Sequence, residues 1–199
     1  MSVSAQEVKE LRDRTGVPLM DCKKALVEAD GDMDKAVQVL RKKGKAKAQK
    51  KKSRETGEGI IGSYVHGNNK LGVLVEVACE TDFVARSDEF QELVKEIAMK
   101  VAAMEPIAVS REELPEDEIE QEREVYREQF KDKPDDVVDR IVEGKLENYY
   151  EDVCLLDQTY IRDDSMTIGE LVNDAIVELG ENIEVRRFTR MEVGGGDEE

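Results

Sequence analysis

Leu71, Val73, Val75, Val77 and Cys79 alternate with Gly72, Leu74, Glu76, Ala78 and Glu80, the period of two that a half-buried strand requires. A few residues on, the period changes. Phe90, Leu93, Val94, Ile97, Ala98, Val101 and Ala102 recur at intervals of three and four, which puts them on one face of a helix. Thr81-Asp82-Phe83-Val84 joins the two. Ser87 supplies an N-cap oxygen that starts the long helix afresh, so Phe83 falls on a short separate turn where its ring can stand uncovered. The opposite reading is that Phe83 plugs the core, as most Phe residues do. The pattern by itself leans to burial.

Residues 5 to 44 read as three short helices. Ala5, Val8 and Leu11 mark the first, with Gly16 as its left-handed stop. Pro18 opens the second, whose stripe is Leu19, Cys22, Ala25, Leu26 and Ala29. Asp32 caps the third, Met33, Ala36, Val37 and Leu40 face inward, and Gly44 is read as its end. Further on, Ile60 to His66 forms a strand, and Gly67-Asn68-Asn69-Lys70 turns it into the Leu71 strand. Pro106 breaks the Phe90 helix. An acid-rich helix follows, with Ile119, Tyr126 and Phe130 as a sparse stripe, and Pro134 opens another carrying Val137, Val138, Ile141, Val142 and Leu146, so the two can pack as a hairpin. Val153 to Asp164 reads as a polar connection. Thr167-Ile168-Gly169-Glu170 is a capping box for a helix closed by Gly180. The last strand, Ile183 to Val193, is read with Ile183, Val185, Met191 and Val193 in one register, completing a small antiparallel sheet.

The divisions that result are a three-helix docking module at 1–44, a basic linker at 45–56, an α+β core at 57–193 and a flexible acidic tail at 194–199. The fold class is α+β, a helical bundle followed by a three-stranded antiparallel sheet packed with helices.

Charge changes this picture in one place. The chain carries a net charge of -17, which argues against general affinity for nucleic acid. Nine basic residues and no acidic one lie between Arg41 and Arg54, leaving 21 basic against 47 acidic residues elsewhere. A nucleic-acid tail is one reading of that stretch. Few aromatics interleave with its lysines, and the Ala-Lys pattern of Lys45 to Lys52 suits a solvated linker helix, the reading preferred here. No apolar run approaches the roughly 18 residues that span a bilayer, and no signal-peptide pattern opens the chain, so a cytoplasmic protein without membrane contact is expected. Cys22, Cys79 and Cys154 are odd in number and lack a CxxC pair, fitting buried thiols better than disulfides or zinc.

Catalytic patterns are missing. There is no GxxxxGK[ST], HExxH or GxSxG and no GxGxxG that follows a strand, and a single histidine, His66, excludes a multi-histidine metal site or a Ser-His-Asp triad. Among 47 acids nothing marks a catalytic pair. A binding protein without cofactor or metal is expected, one that acts on a partner's site by favouring one of its conformations.

Leu11-Arg12-Asp13-Arg14-Thr15-Gly16, Met20-Asp21-Cys22-Lys23-Lys24-Ala25-Leu26, Gly57-Glu58-Gly59-Ile60, Glu80-Thr81-Asp82-Phe83-Val84-Ala85 and Val142-Glu143-Gly144-Lys145 stand in an order and spacing that resembles bacterial elongation factor Ts, in its short, single-core form. The resemblance implies a guanine-nucleotide exchange factor for elongation factor Tu, engaging its GDP-bound and nucleotide-free states. It implies a ubiquitin-associated-like N-terminal bundle that docks on the GTPase, with Leu11, Arg12 and Met20 at or near the contact and His66 among the docking residues. It assigns Thr81, Asp82, Phe83 and Val84 to dislodging the partner's magnesium, and so reverses the lean of the pattern on Phe83. Longer members carry a second core copy, whereas short members pair through their sheets, which implies a homodimer here. Some short relatives bear a cysteine in the last strand where this chain has Thr189, so a disulfide-locked dimer is not expected.

Overall fold

The computed structural model describes residues 3–194; the acidic tail read at 194–199 lies, but for Gly194, outside them. The chain opens with α1 (Ala5–Thr15), α2 (Leu19–Glu28) and α3 (Met33–Gln49). Ser4 and Glu7 close a capping box on α1, Gly16 ends it at φ 68°, and the Asp32 carboxylate accepts from Lys35 N to start α3. Val8, Leu11, Cys22, Ala25, Leu26, Ala36 and Leu40 form the bundle core.

Gly44 does not end α3, as the sequence reading had it. It is buried in mid-helix against α8 (Ile168–Leu179), where a Cβ would lie 3.6 Å from Asp174 Oδ1. The helix continues because Ala36, Leu40 and Ala48 are buried on the same side at a spacing of four, and that packing outweighs the helix penalty of about 1 kcal/mol for glycine. Lys45 to Gln49 are therefore helical, and Ala48 is buried in the main core. Arg41 donates to Ser165 O at 2.8 Å and Ser165 Oγ at 3.0 Å, and Lys47 pairs with Asp21 at 3.0 Å. α3 thus ties the bundle to the rest of the protein.

The sheet has the order β1-β2-β5, all antiparallel, from β1 (Glu58–Val65), β2 (Leu71–Cys79) and β5 (Ile183–Glu192). One face packs on α5 (Asp88–Met104) and α8 around Val73, Val75, Val77, Phe90, Val94, Ile97 and Ile176. Gly62 lets α5 approach, since a Cβ there would meet Val94 Cγ1 at 2.3 Å. In β5 the ladder pairs Val77 with Val185 but Glu76 with Arg187, so Arg186 is an extra, bulged residue. The extra residue shifts side-chain phase by one position. Ile183 and Val185 face the core before it and Phe188 after it, whereas Met191 and Val193 are exposed; the single register read for those four residues is corrected. With Met191, Ile61, Val65 and Leu74 form an open apolar patch on the outer sheet face, beside the Glu76–Arg187 ion pair.

A 3₁₀ turn at Arg111–Glu113 leads to α6 (Glu116–Gln129), which pairs with α7 (Asp135–Val153) around Val138, Val142, Leu146, Ile119, Tyr126 and Phe130. The polar connection contains a small hairpin, β3 (Thr159–Tyr160) with β4 (Asp163–Thr167). It is pinned to α5 through Glu96, which accepts from Tyr160 Oη at 3.1 Å and from the Arg162 guanidinium.

Candidate functional site

β2 ends at Cys79 and the chain turns through α4 (Asp82–Ala85) before α5 begins. Two caps in succession build this tip. Thr81 Oγ1 accepts from Val84 N at 3.4 Å and Ser87 Oγ accepts from Phe90 N at 3.2 Å. Val84 and Ala85 are buried, anchoring one side of the turn. Phe83 points the other way and is 81 % exposed, more than any other large hydrophobic residue described, whereas Phe90 is 0 % exposed. An aromatic ring held outward on an anchored turn is suited to enter a partner, because its apolar area is still unburied. Asp82 is exposed and pairs with Arg86 at 3.0 Å, an interaction of little worth in water.

Behind the tip, two turns exchange hydrogen bonds. Glu181 Oε2 accepts from Glu80 N at 3.2 Å and Thr81 N at 3.0 Å, and its Oε1 accepts from Thr81 Oγ1 at 2.7 Å. In return Glu80 Oε1 accepts from Asn182 N at 2.6 Å and from Arg54 Nη1 at 3.4 Å. The Asn182 amide hydrogen, followed by Arg54, holds the Glu80 carboxyl below its ordinary value. Asn182 Nδ2 donates to Arg54 O at 2.9 Å, and the Cys79 thiol donates to Thr81 O at 3.2 Å, burial pushing that thiol's pKa up. Glu181, Asn182 and Arg54 were not singled out from the sequence. Gly180 as the stop of the preceding helix was the one signal that this turn would face the β2 end.

The other docking residues do not gather at the tip. His66 sits at the far end of the hairpin, roughly 25 Å away at about 3.3 Å per strand residue, where its Nδ1 lies 3.1 Å from Tyr64 Oη. Leu11 is 0 % exposed within the bundle core, which corrects its placement as a contact residue: its apolar face is consumed in holding three helices together. Arg12 is exposed, and Met20 is 64 % exposed beside Leu19, with Val27 two turns along the same face of α2. A cavity of about 1040 Å³ opens between the α1–α2 turn, α3 and α8. Several of its charges already answer one another, Lys47 with Asp21 and Arg41 with Asp163. Solvent reaches Asp174 there, yet the surrounding walls raise its carboxyl's pKa, Arg41 opposing them. Among the described residues no His, Cys, Asp and Glu group could hold a metal, and no helix is long and apolar enough to cross a membrane.

The family model for elongation factor TS matches residues 23–195. The chain belongs to the elongation factor Ts family. Its similarity to an elongation factor Ts of Fervidobacterium nodosum is 59% identity over 196 residues, covering 98% of this chain and 100% of that protein. It is 57% identical over 199 residues to that of Thermotoga petrophila, with both chains fully covered, and 54% identical over 198 residues to that of a Thermoanaerobacter species, covering 98% and 97%. The elongation factor Ts model begins at Lys23, inside α2, while the Thermotoga match also takes in α1. Family membership gives the chain a translation elongation role.

Proposed function

We propose that this elongation factor Ts family member is a guanine-nucleotide exchange factor that binds elongation factor Tu in its GDP-bound and nucleotide-free states. The observation that carries the reading is the outward Phe83 on an anchored turn. In this reading Phe83 wedges beside the partner's magnesium site, Asp82 adds negative charge, and Thr81 and Val84 hold both in place. Magnesium bridges phosphate oxygens and protein ligands, so displacing it removes a large part of what holds GDP.

Accelerating GDP release a thousandfold takes about 4 kcal/mol off the barrier. Burying one Phe supplies about 1.5 to 3 kcal/mol, so the bundle must contribute binding energy of its own. Arg12 and Met20, with Leu19 and Val27, form the face offered for that, with labour divided between a docking bundle and an exchange core that α3 joins. By reciprocity, a factor that loosens GDP is itself loosened by GDP, and entering GTP can expel it. No bond in a substrate is made or broken by this chain; it acts without catalytic residue, cofactor, nucleic acid or membrane, in the cytoplasm.

Ile61, Val65, Leu74 and Met191 support a homodimer through the open sheet face, two-fold symmetric and able to present two tips. Thr189 pairs with Leu74 on that face, leaving no thiol there for a disulfide. The test is release of labelled GDP from elongation factor Tu. The intact chain should accelerate it, and release unchanged at saturating chain would overturn the reading.

A further inference from the structure

We infer that Glu181, on the turn between α8 and β5, is a positioning residue that sets the rate at which the tip acts; the inference rests on the exchange-factor reading above. A four-residue helix cannot hold itself, since nucleating a helix costs more than one turn returns. α4 has buried anchors at Val84 and Ala85, but its N-terminal side, including Thr81, is exposed to water, and its capping bond is long at 3.4 Å.

Glu181 supplies what is lacking there. Its carboxylate accepts from Glu80 N, Thr81 N and Thr81 Oγ1 at 3.2, 3.0 and 2.7 Å. The last bond fixes the hydroxyl hydrogen, which leaves a lone pair of Oγ1 for Val84 N. Charge-assisted bonds of this kind are stronger than neutral ones. Gly180, at φ 79°, ends α8 and turns the chain so that Glu181 reaches the tip. Glu80 reciprocates through Asn182 N, so the two turns lock together and carry Phe83 on a backbone already ordered. Without Glu181 that ordering would have to occur while the ring enters the partner, which raises the barrier to insertion rather than weakening the bundle's docking.

The experiment uses the full chain with Glu181→Ala, Glu181→Gln and Thr81→Val, reading amide hydrogen exchange in the unbound protein and GDP release from elongation factor Tu. Glu181→Ala should lose protection at Glu80, Thr81 and Val84 while α5 and β2 stay protected. Its saturating release rate should fall about tenfold or more, with half-saturating concentration changed less than about threefold. Combining it with Thr81→Val should add little, because both remove one unit. Glu181→Gln keeps an oxygen for the two amide hydrogens but cannot accept the hydroxyl's, so it should retain protection at Glu80 and Thr81 and show an intermediate rate; it decides the matter if Glu181→Ala unfolds. Unchanged tip protection in Glu181→Ala, or an unchanged saturating rate, would overturn the inference. If the intact chain fails to accelerate release, the exchange reading falls and the claim about rate falls with it, while the protection pattern still shows whether Glu181 orders the tip.

Discussion

Replacing Phe83 and Phe90 by alanine, one at a time, removes the same atoms from two positions seven residues apart and should give opposite results. Phe90 is 0 % exposed against Val94, Ile97 and the sheet. Truncating a buried Phe costs about 3 to 5 kcal/mol, and in a chain of this size each kcal/mol lowers the melting temperature by about 2 to 4 °C. Phe90→Ala should therefore melt about 6 to 20 °C lower. Phe83, at 81 % exposure, has little burial to lose; substitutions at such positions stay within about 0.5 kcal/mol, or a shift under about 2 °C. Thermal unfolding followed by far-ultraviolet circular dichroism reads both. A drop for Phe83→Ala comparable to that of Phe90→Ala would mean that the ring is packed in solution, and the tip as described would be refuted.

Three further expectations concern the scaffold. Gly62→Ala places a methyl 2.3 Å from Val94 Cγ1 and should destabilise by about 1 to 3 kcal/mol through overpacking, measured by denaturant unfolding; a neutral result would mean that α5 can retreat from the sheet. If the chain pairs as proposed, Leu74→Glu on the open face should halve the mass read by light scattering while the far-ultraviolet circular dichroism of the fold is kept and the melting temperature loses its dependence on concentration, and an unchanged mass would exclude that face as the interface. The Glu80 carboxyl lies below its ordinary value near 4.5 because Asn182 N and Arg54 favour its charged form. Its contribution is therefore complete above that value and lost as pH falls through the lowered one. Amide protection at Asn182 should hold across neutral pH, decline only below about 4.5, and lose this dependence in Glu80→Gln; decline near neutrality would contradict the assignment.

Much of this was legible in residue order, and the exceptions have physical causes. The β2 alternation, the Phe90 stripe, Ser87 as a cap and the Thr167–Glu170 capping box are local signals, and local geometry obeyed them. Phe83 could not be placed by pattern, because a period of seven fits both a continued helix and a separate turn; the two caps decide it. Gly44 misled because glycine is a common helix stop, whereas the burial of Leu40 and Ala48 on either side of it carries α3 through. The Arg186 bulge has no mark in its own strand and is set by pairing with β2. Thr159–Tyr160 is too short to show a period. Leu11 sits in a motif of the family yet faces the bundle core, which a motif does not reveal. Glu181 was one acid among 47 until the fold brought it, a hundred residues along the chain, to Thr81.

The claim at the centre is that Phe83 accelerates GDP release by way of the partner's magnesium. It is tested by measuring release from elongation factor Tu with the intact chain and with Phe83→Ala, each at saturating concentration, first with magnesium and then with a chelator. With magnesium the intact chain should exceed Phe83→Ala by roughly tenfold or more, the worth of about 1.5 to 3 kcal/mol of burial. In chelator the two should converge to within about threefold, since the ion that the ring displaces is already gone. A gap that persists undiminished without magnesium would contradict the mechanism.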